Sequence, residues 1–254
     1  MTFRRALGLF DATMLVVGAI IGAGIFINPS IVAARLPGAS WVLAAWVLGG
    51  ALAVAGAFAY AELGSIFPWV GGQYAYLRDA YHPLVGFLYG WALITTIESG
   101  ALAAVAITFA QYSLRLVGRA GATATPLAVA AIAVVSIVNY LGVKPGSRLL
   151  NVFVLLKVAA LAVLIFAGLF LPAGAPHGSV AAADAPLTSL PLAMGAALVP
   201  IMFAYGGWQN ANYVAEEIKD AARTLPRALL AGTAIVVIVY VAVNITYLRA
   251  LGAL

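Results

Sequence analysis

Between Asp11 and Arg35 the chain runs for twenty-three residues without a charge. Near the middle of that run stands Gly18-Ala19-Ile20-Ile21-Gly22-Ala23-Gly24-Ile25-Phe26. Its three glycines disfavour a continuous helix, each by about 1 kcal/mol relative to alanine. A helix interrupted at mid-bilayer exposes backbone N–H and C=O groups that lipid cannot satisfy. Such a break persists only where it faces protein or a polar cavity. The run is therefore either a ligand-facing break or a close-packing seam, since Gly18 and Gly22 also fit the GxxxG pattern.

Composition sets the environment. Of the 254 residues, 65% are hydrophobic and 8% charged, against about 25% charged in soluble domains. This predicts an integral membrane protein and all but excludes a soluble enzyme. The net charge of +5 reads as basic residues collected in cytoplasmic loops, not as a nucleic-acid footprint. There are no cysteines, which removes disulfides, thiolate metal sites and cysteine nucleophiles. The two histidines, His82 and His177, fall in expected loops, so neither a metal centre nor a cofactor is anticipated. The first apolar segment is too long for a secretory signal and carries Asn28-Pro29 near its end; it reads as a retained span.

Seven apolar segments follow from the charge punctuation. The first lies between Asp11 and Arg35, the second between Arg35 and Glu62. A polar, glycine-rich connection spans Gly64 to Pro83. The third segment covers about Leu84–Leu114, interrupted by Glu98, and the fourth about Thr125–Leu141. The fifth covers about Leu149–Leu171, interrupted by Lys157. A loop from Pro172 to Pro186 leads to the sixth, about Leu190–Ala215, and the seventh, Ala228–Leu248. Roughly 20 apolar residues cross a bilayer as a helix, so all seven are expected to span. With the N-terminus inside, Arg4, Arg5, Arg78, Lys144, Arg148, Lys219, Arg223 and Arg227 lie inside. Arg35, Arg115, Arg119 and Arg249 then lie outside. That bias predicts a cytoplasmic N-terminus and an outer C-terminus.

Segment six holds a second interruption: Pro200, then Phe203-Ala204-Tyr205-Gly206-Gly207-Trp208. Broken segments in corresponding halves of a transporter mark its binding site. Segment six follows segment one by five, the spacing a five-helix repeat gives. The pair of breaks favours a site over simple packing.

These stretches resemble the amino acid–polyamine–organocation transporters, near the L-type amino acid transporters and bacterial permeases. The matching motifs are Gly18–Phe26, Tyr60-Ala-Glu-Leu-Gly64 with Phe67-Pro68 and Gly71-Gly72-Gln-Tyr74, and Asn139-Tyr-Leu-Gly-Val-Lys144. Phe203-Ala-Tyr-Gly-Gly-Trp208, Glu216-Glu217 and Leu225-Pro226-Arg227 complete the set. The resemblance implies an all-α, five-plus-five inverted-repeat transporter fold with spans one and six unwound. It also implies a secondary transporter of amino acids working by alternating access, not an enzyme. Relatives have about twelve spans built on paired repeats. Residues 1–254 are thus expected to form one transmembrane domain, the N-terminal part of a permease. The first repeat covers about 11–171 and the start of the second about 190–250. A seven-span receptor and a channel are the rival classes. A retinal protein would need a lysine in the last span, which has none, and no carbonyl filter or ring of charges is apparent.

The polarity of the breaks fits an amino acid zwitterion. The second half of span one starts near Gly24, where unpaired N–H groups and a partial positive charge suit a carboxylate. The first half ends near Ile20 and Ile21, leaving carbonyls for an ammonium. The expected site takes the carboxylate on the backbone of Gly22, Ala23, Gly24 and Ile25. It takes the amine on carbonyls of Ile20, Phe203 and Ala204, with Gly206 offering another. Many relatives carry serine at position 23, so Ala23 leaves a backbone-only site. Gly206 and Gly207 would leave room for a side chain, Gln209 and Asn210 would tune its polarity, and Phe203 resembles the aromatic that closes over substrate. Trp208 serves either the site or packing.

Lys157 is the lone lysine within a span, and an intramembrane charge is usually functional, although it could snorkel to the interface. The resemblance implies that it takes the place of sodium near span one, and hence sodium-independent exchange or proton coupling. Glu98 lines the path, meets Lys157, favours a cationic substrate or is a structural carboxylate. Glu62 and the cluster Glu216, Glu217, Lys219 and Asp220 read as solvated or gate-stabilising charges. The expected partners are an amino acid and membrane lipid. A disulfide-linked heavy subunit is not expected without cysteine, and the alanine-rich composition suggests a bacterial inner membrane.

Overall fold

A computed structural model of the chain describes residues 5, 7–67, 71–119, 121–140, 143–170 and 189–250, with the side chains of 139 and 143–151 left out of that description. The loop 172–186 with His177, together with Arg4, Pro68, Leu141 and Gly142 from the expected motifs, lies outside the described residues. The described residues are almost entirely helical, in two compact units: Met1–Tyr76 with Val158–Leu254, and Leu77–Lys157.

In the first unit, α1 (Leu9–Ile20) and α2 (Gly24–Ala33) form the interrupted first segment, bent by 46° across a three-residue gap. Helix α3 (Ala39–Ile66) is a continuous span. The polar, glycine-rich connection from Gly64 to Pro83 is largely helical: α3 runs on to Ile66, and α4 occupies Gly72–Ala80. Its cause is α4's apolar face, which buries Ala75 and Tyr76. Later in the chain come α9 (Leu190–Tyr205), a 3-10 helix over Trp208–Glu217 and the long α10 (Ala221–Ala250). The core is built by α1, α3, α9 and α10 around the fully buried Trp46, Tyr205 and Tyr240. Their rings meet edge-on or tilted at 5.1–6.0 Å between centroids, a favourable aromatic geometry. Small residues let α3 come close to its neighbours: Trp208 covers Gly56 and Val237 covers Gly50.

The stretch before α1 is tied to the end of the 3-10 helix. Leu7 and Ile218 form a parallel bridge: Leu7 N–H donates to Glu217 O at 3.0 Å and Lys219 N–H to Leu7 O at 2.9 Å.

The second unit contains α5 (Pro83–Ala92), a π-helical turn over Leu93–Ile97, α6 (Glu98–Leu116), α7 (Thr125–Tyr140) and the start of α8 (Val143–Phe170). His82 caps α5, its Nδ1 accepting from Leu84 N–H at 3.2 Å. The π turn just before Glu98 was not evident in the sequence. Thr95 and Ser99 hydroxyls there bond back to the carbonyls of Trp91 and Thr95, which competes with regular helical pairing. Helices α6 and α7 pack through Ala106, Ala110 and Ala128.

Among the described residues, five helices are long and apolar enough to cross a membrane, or six with the bent pair as one span. Of the seven expected spans, α7 falls short. Its 16 residues stop below the roughly 20 of a straight crossing, and Leu141, the expected end, is outside the described residues.

Candidate functional site

The span-one break occupies Ile21, Gly22 and Ala23. Helix α1 closes with the Ile21 N–H bonded to Val17 O at 3.0 Å, and Ile21 then turns to an extended conformation at ψ 98°. Helix α2 opens with Phe26 N–H on Ala23 O at 3.1 Å. The N–H groups before that bond belong to the unpaired first turn of a helix, where the dipole is positive. Gly22 is exposed and Ala23 half-buried, whereas Ile20, Ile21, Gly24 and Ile25 are buried. Gly22 thus stands in the break and makes no close helix contact. The close approach is made by Gly24, where an added β-carbon would stand 2.9 Å from Ala204 Cα and 3.0 Å from its Cβ.

The span-six break differs from expectation. Helix α9 continues through Pro200 and ends at Tyr205. The interruption is the Gly206-Gly207 turn, with Gly206 extended and Gly207 at φ 114°. Beyond it the chain forms 3-10 turns interrupted at Val214 (φ −109°, ψ 19°), not a second α-helical half. Gln209 secures the turn: its side-chain oxygen accepts from Gly207 N–H at 3.0 Å, and its carbonyl accepts from Asn212 Nδ2 at 3.2 Å. The Phe203 carbonyl accepts from Gly206 N–H at 3.3 Å, and Phe203 is 56% exposed.

The two breaks touch. Gly24 rides on Ala204, and the space beside Gly207 is filled by the Ala19 backbone, so Gly207 offers no open room for a substrate. The Ile20 carbonyl accepts from the Tyr240 hydroxyl at 3.2 Å, with the Gly22 backbone also engaging that hydroxyl. A carbonyl has two lone pairs, so one position on Ile20 O remains. Tyr240, on α10, is a contributor that sequence reasoning missed, because an apolar span gives no cue to which tyrosine faces inward. Of the sequence-assigned residues, Ile20 to Ile25, Phe203, Ala204, Gly206, Gly207 and Gln209 belong to this unit. Glu98, exposed on the first turn of α6, and Lys157, half-buried on α8, belong to the other.

Near the bridge at Leu7, α4 docks on the 3-10 helix. Gln73 donates to the Tyr60 hydroxyl and accepts from the Tyr213 hydroxyl at 2.9 Å. Tyr76 donates to the buried Asn212 at 3.1 Å, and burial, then the neighbouring Tyr60, pushes its phenol up to about 12. Trp208 stacks edge-on over Tyr60 at 5.1 Å and so packs the break against α3. A cavity of about 270 Å³ opens between α2, α3 and the end of α10, lined by Phe26, Pro29, Ser30, Asn244 and Tyr247 among others. None of the sequence-assigned residues lines it.

Comparison with known proteins agrees with this architecture. Residues 7–253 match the family model described as amino acid permease. The chain is 33% identical to the human b(0,+)-type amino acid transporter 1 over 99% of its own length and 53% of the relative's. It is 31% identical to the serine/threonine exchanger SteT of Bacillus subtilis (98% and 56%). To the human large neutral amino acids transporter small subunit 2 it is 32% identical (98% and 48%). The chain spans about half the length of these curated relatives. From the family match over nearly its whole length, the chain belongs to the amino acid permeases, integral membrane proteins of the amino acid–polyamine–organocation superfamily.

Proposed function

We propose that this chain carries the substrate half-site of a secondary amino acid transporter working by alternating access without sodium. Support comes from the meeting of two interrupted helices, Gly24 on Ala204 and Ala19 on Gly207. It sets a helix N-terminus beside carbonyls at the ends of two helices, the polarity an amino acid zwitterion requires. In this reading the N–H groups of Gly22, Ala23, Gly24 and Ile25 take the carboxylate, the Gly22 N–H in exchange for its contact with the Tyr240 hydroxyl. Carbonyls of Ile20, Phe203 and Ala204 take the ammonium. The resemblance supplies Phe203 as the closing aromatic and Lys157 as the cation in place of sodium. The chain's two breaks, five segments apart, support a first repeat over about 11–171 and a second beginning near 190. The family is one of transporters, so the work is binding and rearrangement, not bond chemistry. The charge bias supports a cytoplasmic N-terminus, and composition a bacterial inner membrane. With no cysteine in the chain, it offers no thiol to a heavy subunit.

The test is counterflow of radiolabelled L-serine and L-leucine in proteoliposomes holding the purified chain, with and without sodium. Accumulation that is equal in both buffers supports the reading. Uptake that requires sodium overturns sodium independence, and absence of both binding and counterflow overturns transport by this chain. Full proton-driven uptake by a Lys157→Ala protein would rule out Lys157 as the coupling group.

A further inference from the structure

We propose that Asn28 and Arg35 are positioning residues, which fix the register of α2 on α9 by serving carbonyls around Pro200. The proposal rests on the amino acid site described above. Proline lacks an N–H, so the carbonyl four residues before it loses its helical donor. In α9 that carbonyl belongs to Ala196, and it accepts from an Arg35 guanidinium N–H. The next carbonyl of the same row, Pro200 O, accepts from Asn28 Nδ2 at 2.7 Å. One turn further along, Ala204 meets Gly24.

The three contacts form an antiparallel ladder. Gly24, Asn28 and Arg35 ascend the first segment while Ala204, Pro200 and Ala196 descend α9 at intervals of four, the repeat of one helix face. Asn28 is 7% exposed, and a buried amide or carbonyl without a partner is strongly disfavoured. A slip of one residue would unpair both rungs at once and drive Gly24 off Ala204. The ladder therefore sets where the N-terminus of α2 stands relative to the Gly206-Gly207 turn, and so the spacing of the carboxylate and ammonium groups. It also accounts for α9 continuing through Pro200: the Arg35 guanidinium supplies the donor that the proline withholds from Ala196 O.

The test is a set of variants of the purified chain, R35A, P200A, R35A/P200A and N28A. Each is read by its thermal unfolding midpoint in detergent and by binding and counterflow of L-serine and L-leucine. In P200A a backbone N–H is restored to serve Ala196 O, so R35A should lower the midpoint in the wild-type background and leave it unchanged in the P200A background. N28A should raise the apparent Kd and KM about tenfold, the effect of one unmade bond to a buried carbonyl. It should leave the maximal counterflow rate within about twofold and act equally in both backgrounds, because Pro200 O is present in each. Additive effects of R35A and P200A would overturn the Arg35 rung. A substrate affinity unchanged by N28A, in a wild type that binds, would overturn the Asn28 rung. Coupled midpoints together with no amino acid binding by the wild type would support the ladder and overturn the transporter reading alone.

Discussion

Gly207 rests on the backbone of Ala19. A β-carbon at position 207 would come within 2.8 Å of the Ala19 carbonyl carbon, and φ there is 114°. Both facts demand glycine. Gly207→Ala should lose at least about 1–2 kcal/mol from the backbone conformation and about 1–3 kcal/mol more from overpacking. Thermal unfolding of the detergent-solubilised protein measures this. Gly206 is the control, with φ −66° and nearest atoms at 3.4 Å. Gly206→Ala should keep near-wild-type stability and narrow the range of amino acids bound.

Gly24 is constrained by space alone, being inside α2. Its missing β-carbon is the room Ala204 occupies. Gly24→Val should abolish amino acid binding, and Gly24→Ala should weaken it, by forcing α2 away from α9. Scintillation binding of L-serine and L-leucine reads the series. Binding that is indifferent to the size of residue 24 would count against the paired-break site.

Tyr240→Phe leaves Ile20 O without its hydroxyl donor. A net loss of about 1 kcal/mol is expected for the unmade bond, with the aromatic packing on Trp46 and Tyr205 retained. If Ile20 O also holds the substrate amine, the variant should bind an amino acid differently from wild type while binding of a carboxylate lacking the amine does not change. An equal change for both ligands would remove Ile20 O from the amine site.

Tyr76 gives a pH signature. Its phenol is held up to about 12 against an ordinary 10.0, so the folded state keeps the proton longer than the unfolded one. The associated stability is complete below pH 10 and declines as pH rises towards 12. Tyr76→Phe should remove that decline and one late phase of the ultraviolet phenolate titration. An identical titration in wild type and variant would disprove the assignment.

Much of this was legible in the chain. Apolar length between charges located the spans, because the bilayer leaves few alternatives to helix. The Gly22–Gly24 spacing located the first break to within a residue, since local backbone cost decides it. Pro200 misled in part. A proline's effect depends on whether another segment can serve the carbonyl it orphans, and Arg35 stands 161 residues away. The helix in the connection after Gly64 was not legible for the same reason: α4 is held by Asn212 and Tyr213, which are distant in sequence.

By itself the sequence determined the membrane environment, the helical class, the family and the positions where backbone groups come free. The family follows from the ordered motifs, and the rest from composition and local conformational cost, which each short stretch carries within itself. Only the tertiary structure decided which freed groups stay free. It gave Ile20 O to Tyr240, filled the space at Gly207 with Ala19, and placed Asn28 and Arg35 on the carbonyls around Pro200. Each pairing joins residues more than 150 positions apart, and their meeting is set by how whole helices pack.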